Sequence, residues 1–182
     1  TFQNVEGEKR GQADEEVGEI RGALISPVVK LPAQPIVDFH VHLFPDRLFE
    51  AIWKQFVADY GWSVLHRLYW RESVAYLRER GVGPIVYSNY AHRPGVAKGL
   101  NDWNLAVLAE LTDLYCFAAF HPDDADGLVM AASLLDHPRI LGFKLQLLVQ
   151  RFYPHDERLF PLYELVMAKG KRLLFHTGTG PV

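Results

Sequence analysis

The chain has 182 residues, 49% hydrophobic and 23% charged, a composition that suits a globular domain with a sizeable core and excludes a disordered or fibrous one. Residues 1–21 hold six acidic and three basic side chains and account for the whole net charge of -3, so neither a nucleic-acid footprint nor a membrane-attracting basic face is expected. No apolar stretch reaches the roughly 18 residues of a membrane span, no signal peptide is visible, and the single cysteine, Cys116, excludes an internal disulfide, so the expected setting is a reducing one, the cytoplasm.

Residues 1–34 are rich in Gly and Glu and read as a mobile polar leader, with room for one short strand at Ala23–Val29. From Pro35 the pattern changes and a folded domain is expected over 35–182. A first strand is predicted at Ile36–His40. A helix follows over 46–60, with Leu48, Phe49, Ile52, Phe56 and Tyr60 at helical spacing and Gly61 just past its end. A second helix is predicted at Glu72–Arg80, stopping at Gly81, then a strand at Pro84–Ser88. Helix Trp103–Leu111, strand Leu114–Phe120, helix Asp124–Leu135 and strand Ile140–Leu145 come next. Cys116 falls in an apolar run and is expected to be a small core residue. Helix Pro161–Lys169 opens with proline in a tolerated first-turn position. The last strand, Arg172–Phe175, runs into His176-Thr177-Gly178. The chain starts at Thr1 and stops a few residues later, and a piece of a longer protein is expected.

Strand and helix alternate with no hairpin turn signals, which predicts an α/β fold with a parallel sheet. Two architectures fit: the first five strands of a (β/α)8 TIM barrel, or a five-stranded doubly wound sheet. In both, function gathers at the C-terminal ends of the strands. A nucleotide-binding sheet would place a glycine-rich loop after its first strand. Here that position holds Asp38-Phe39-His40-Val41-His42, which favours the barrel. Side chains alternate along a strand, so His40 and His42 share a face, with Phe39, Val41 and Leu43 on the other. Two imidazoles so spaced can share a metal ion. The plainer alternative is a hydrogen-bonded pair at a strand end.

Asp38-Phe39-His40-Val41-His42, Gly142-Phe143-Lys144-Leu145 and Leu173-Leu174-Phe175-His176-Thr177-Gly178 together resemble the amidohydrolase superfamily. The nearest branch is amidohydrolase family 2, a group of metal-dependent hydrolases and decarboxylases, and the resemblance runs over about Pro35–Val182. It implies a (β/α)8 barrel and a divalent ion, usually zinc, held by His40, His42 and His176. It also implies a small-molecule substrate, and it leaves a homo-oligomer open. A further ligand histidine and a proton-accepting aspartate would lie beyond Val182, so residues 1–182 alone are expected to be inactive.

Gln146 stands where many relatives place a histidine and is expected to shape the substrate pocket. Lys144 shares its face and has three open readings: a carboxylated bridge between two metals, a charged contact near metal or substrate, or a structural role. His92 follows the second strand at the functional end and is a candidate substrate contact. His121 is expected to fix its loop by a hydrogen bond, Asn101 to cap the following helix, and His66, His137 and His155 to lie on the surface. The rival functions are a metal-dependent phosphoesterase or deoxyribonuclease, and a binding barrel without turnover. The first is disfavoured because the fourth strand carries Lys144 and Gln146 where a carboxylate ligand is usual.

Overall fold

Five apolar runs pair, in the order in which they occur, into one parallel sheet. In this computed structural model the described residues are 34–61 and 64–178. They fall within one unit of the chain, Ala33–Val182. The expected leader up to residue 33 and the expected strand Ala23–Val29 lie outside the described residues. The strands are β1 (Ile36–His42), β2 (Val82–Ser88), β3 (Leu114–Ala119), β4 (Ile140–Gln146) and β5 (Arg172–His176). Their order is β1-β2-β3-β4-β5, and every pairing is parallel. A doubly wound sheet would put its first strand in the interior. A barrel adds each strand beside the last, and these five form a curled half of a (β/α)8 barrel.

The helices are α1 (Asp46–Tyr60), α2 (Trp70–Arg78), α3 (Ala97–Glu110), α4 (Gly127–Leu135), the single turn α5 (Leu147–Gln150) and α6 (Phe160–Ala168), the last entered through a 3-10 turn at Glu157–Leu159. α1 ends where Gly61 takes up φ 62°, a left-handed stop that glycine adopts at little cost. α2 begins earlier than its apolar pattern predicts, because Glu72 Oε2 accepts the Tyr69 backbone N–H at 2.8 Å and caps it. α3 begins at Ala97, well before Trp103: its polar Asn101 and Asn104 are interior helix residues, both buried.

The outer face of the sheet supplies the core. Ile85, Tyr87, Leu114, Cys116, Ala118, Ile140, Phe143 and Leu145 are all fully buried there. Cys116 is a small core residue, as expected, and burial pushes its thiol pKa far up. Strand β1 breaks the simple alternation. It pairs Asp38 with Ile85 and Val41 with Tyr87, so it spends three steps where β2 spends two. That extra residue is a β-bulge, and it re-aims side chains. Phe39 turns inward and meets the Phe117 ring edge-on at 5.6 Å. Phe117 pairs with Ser88, which in turn pairs with His42, so all three lie on one face. Phe39 therefore does not share the outer face with Val41 and Leu43.

Between β4 and β5 the backbones approach closely at Gly142. Its φ is 146°, and a Cβ there would sit 1.6 Å from the Arg172 carbonyl oxygen. Only glycine fits that position. Its neighbours on the same face, Lys144 and Gln146, are set by this approach.

Candidate active site

The C-terminal ends of β1, β4 and β5 bring five polar side chains, His40, His42, Lys144, Gln146 and His176, to the inner face. His40 and His42 have ring centroids 5.1 Å apart, inclined at 68°. Rings at that spacing are near enough for both to reach one ion at metal–nitrogen bonds of about 2.0–2.1 Å. The pair therefore fits a divalent cation. Asp38 Oδ1 accepts the His40 backbone N–H at 3.0 Å. His42 Nδ1 lies 3.4 Å from Ser88 Oγ, and its ring stacks against Phe44 and meets Tyr90 edge-on.

Part of the His42 ring is open to the barrel interior. The protein crowded around it still displaces enough bulk water to lower its pKa to about 4, helped by the charge of Lys144 and then of His40, while a hydrogen bond to the Ser88 backbone opposes the shift. At neutral pH the imidazole is uncharged, the form that ligates metals. The His176 pKa is lowered by desolvation first and then by Lys144 and His40, so it looks into the same space. His176 pairs in register with Gln146. Among the described residues, however, no group of three or more His, Cys, Asp or Glu side chains stands close enough to hold one ion. The structure brings His40 and His42 together and places His176 on their face without closing it onto them.

Lys144 is fully buried, and its Nζ has no hydrogen-bond partner among the described residues; the same is true of Gln146 Oε1. Desolvation lowers the Lys144 pKa. Two unsatisfied polar atoms on the inner face are costly unless something polar occupies the space between them. His92 is exposed and lines a cavity of about 420 Å³ with Phe44, Leu48, Ile52, Phe56, Tyr90 and Arg151, next to His42. A larger cavity of about 560 Å³ lies along α1, between Glu50 and Tyr69, and contains no histidine.

His121 behaves as expected, its Nδ1 accepting the Asp123 backbone N–H at 3.2 Å. His66 and His155 are exposed, and His137 is half-buried, accepting the Arg139 N–H. Asn101 does not cap a helix. Its Oδ1 accepts the Ala119 N–H at 2.9 Å and its Nδ2 donates to the Ala119 carbonyl at 2.8 Å, closing off the end of β3. It belongs to a buried amide web that sequence reasoning missed. Asn89 and Asn104 exchange two hydrogen bonds, at 2.7 and 3.1 Å, and Asn104 donates to Asn101. Asn89 also donates to the Leu43 carbonyl. Gln150 accepts the Gln146 N–H and donates to the carbonyls of Ala91 and Phe120. These amides tie together the segments that follow β1, β2, β3 and β4. Asparagines at positions 101 and 104, three residues apart and so on one face of α3 with apolar Leu100, Val107 and Leu108, were the available signal.

No protein-family model matches the sequence, and no curated protein matches it. Among solved structures, the chain is similar to amidohydrolase II, at 19% identity and TM-score 0.65 over 81% of this chain and 52% of that one. It is similar to 5-carboxyvanillate decarboxylase from Novosphingobium aromaticivorans in complex with manganese and 4-hydroxy-3-methoxy-5-nitrobenzoic acid, at 12% identity and TM-score 0.66 over 84% and 54%. It is also similar to Metarhizium anisopliae IDCase in apo form, at 14% identity and TM-score 0.60 over 79% and 50%. The chain spans about half the length of each. At such identities the likeness is one of fold, and it agrees with the resemblance carried by the histidine motifs. In fold, the described residues are five consecutive strands of a (β/α)8 barrel, the architecture these solved structures share with it.

Proposed function

We propose that the protein is a metal-dependent hydrolase or decarboxylase of a small-molecule substrate, with His40, His42 and His176 as metal ligands. The observation that carries this is the His40–His42 pair, facing ring to ring at 5.1 Å on the inner face, where a barrel enzyme keeps its chemistry. The imidazole set suits zinc, and the manganese of the decarboxylase relative shows that such a fold also takes a harder ion. A bound ion supplies Lewis-acid polarisation of a carbonyl or carboxylate and of water. His42 stays neutral and available at pH 7. Lys144 and Gln146 present unsatisfied polar atoms to the substrate, and His92 lines its approach. The rings of Phe44 and Tyr90 give the site an apolar wall beside His42.

Elemental analysis of the intact protein tests the ligand set. Near-stoichiometric divalent metal is expected, with zinc the first choice. The double variant His40→Ala, His42→Ala is expected to lose it. Full metal content in that variant would refute the assignment.

A further inference from the structure

The sheet alone fastens the strand of the histidine pair poorly. Among the described residues β1 is paired on one side only, and its register with β2 slips between Asp38 and Val41, the stretch that carries His40. Regular step is regained only at the last two pairs, Val41 with Tyr87 and His42 with Ser88. The next residue, Leu43, is fully buried, and both its backbone groups are taken by the end of β2. Its N–H donates to the Ser88 carbonyl at 3.3 Å, and its carbonyl accepts Asn89 Nδ2 at 3.3 Å. The His42 ring faces the same segment. Its Nδ1 lies 3.4 Å from Ser88 Oγ, and the ring also bonds to the Ser88 backbone.

Asn89 is itself held in place. It is fully buried, and its amide exchanges bonds of 2.7 and 3.1 Å with Asn104. Asn104 donates at 3.2 Å to Asn101, which closes the end of β3. Buried amides are costly unless bonded, and a fully bonded network is rigid. The Asn89 Nδ2 has two protons. One goes to Asn104, which fixes the plane of the amide, and the other is thereby aimed at the Leu43 carbonyl. An apolar side chain at position 89 would leave that carbonyl bare.

We propose that Asn89 is a positioning residue for the histidine site: acting through Leu43, it holds the end of β1, and with it the His42 ring, in the orientation a divalent ion requires. That an ion binds there rests on the function proposed above; the restraint on the ring does not. The test strips the intact protein of metal and measures Zn2+ affinity by competition with a chromophoric chelator, below the onset of melting. Wild type is compared with Asn89→Ala and with Asn101→Ala, which breaks the web at β3 but leaves the Asn89–Asn104 pair and the bond to Leu43. Asn89→Ala is expected to bind about tenfold more weakly or worse, the loss typical when a group that orients a metal ligand is removed. Asn101→Ala is expected to keep wild-type affinity although its melting temperature also falls. Nitrogen NMR of the histidine rings in the metal-free proteins gives a second readout. His42 is expected to hold a single tautomer in wild type and Asn101→Ala, and a mixture in Asn89→Ala. Should Asn89→Ala not fold, Asn89→Ala with Asn104→Leu takes its place, since that pair of changes strands neither amide. Wild-type affinity with a single tautomer in the Asn89 variant, or an equal loss of affinity in Asn101→Ala, would overturn the proposal. If wild type binds no metal, the ligand assignment falls and the ring tautomers alone decide the positioning.

Discussion

His121 shows how a single buried imidazole sets a pH response. It is 4% exposed, and its Nδ1 accepts the Asp123 N–H, a role open only to the uncharged ring. Desolvation lowers its pKa; the carboxylates of Asp123 and Asp124 pull the other way without cancelling that effect. Below the ordinary histidine value of about 6.5 the unfolded chain takes up a proton that the folded chain resists. Stability is therefore expected to fall as pH drops below that value. Asparagine can still accept the Asp123 N–H. Urea midpoints at pH 7.5 and 5.5 should thus drop less in His121→Asn than in wild type; equal drops would refute this. At the same scale, the histidines were legible in the sequence because their chemistry is rare at strand ends. The amides of Asn89, Asn104 and Gln150 were not. Each is an ordinary polar residue until three-dimensional packing gives it backbone groups to satisfy.

At the scale of elements, every strand and every major helix could be placed from the sequence pattern, with most ends shifted by a few residues and the start of α3 by six. The misplacements have local causes, such as the Glu72 cap of α2 and the buried amides inside α3. The β1 bulge was hidden because the residues on both sides of it keep an alternating pattern, and only the pairing with β2 shows the extra step. Gly142 is the element-scale contact on which the site depends. It lets β4 and β5 approach and sets Lys144, Gln146 and His176 at adjoining strand ends. Gly142→Ala is expected to cost more than about 4 kcal/mol, since the methyl would overlap a carbonyl of the neighbouring strand and no side chain can move aside. Soluble yield and denaturant midpoint measure this. A midpoint like that of wild type would contradict the close approach.

At the scale of the whole molecule, the five strands leave β1 and β5 as edges among the described residues. The β1 side exposes apolar surface, with Ile36, Val37 and Phe39 each about half open. Unpaired parallel edges beside exposed apolar side chains promote association. A polypeptide limited to residues 33–182 is expected to self-associate and to melt broadly. Size-exclusion chromatography with thermal melting checks this, and a sharp, monomeric, cooperative melt would mean that the half-barrel stands alone as a finished domain.

The sequential strand order also bears on synthesis. Because β1 to β5 pair in the order of translation, each strand emerging from the ribosome meets a partner already made, and no strand waits for a distant segment to fill a gap inside the sheet. The free side of β1 is the exception. In a barrel that closes last strand to first, that side stays bare from the earliest moment of sheet growth to the final one. The strand that carries the histidine pair is then the one a nascent chain must shield longest, and it is where a chaperone would be needed most.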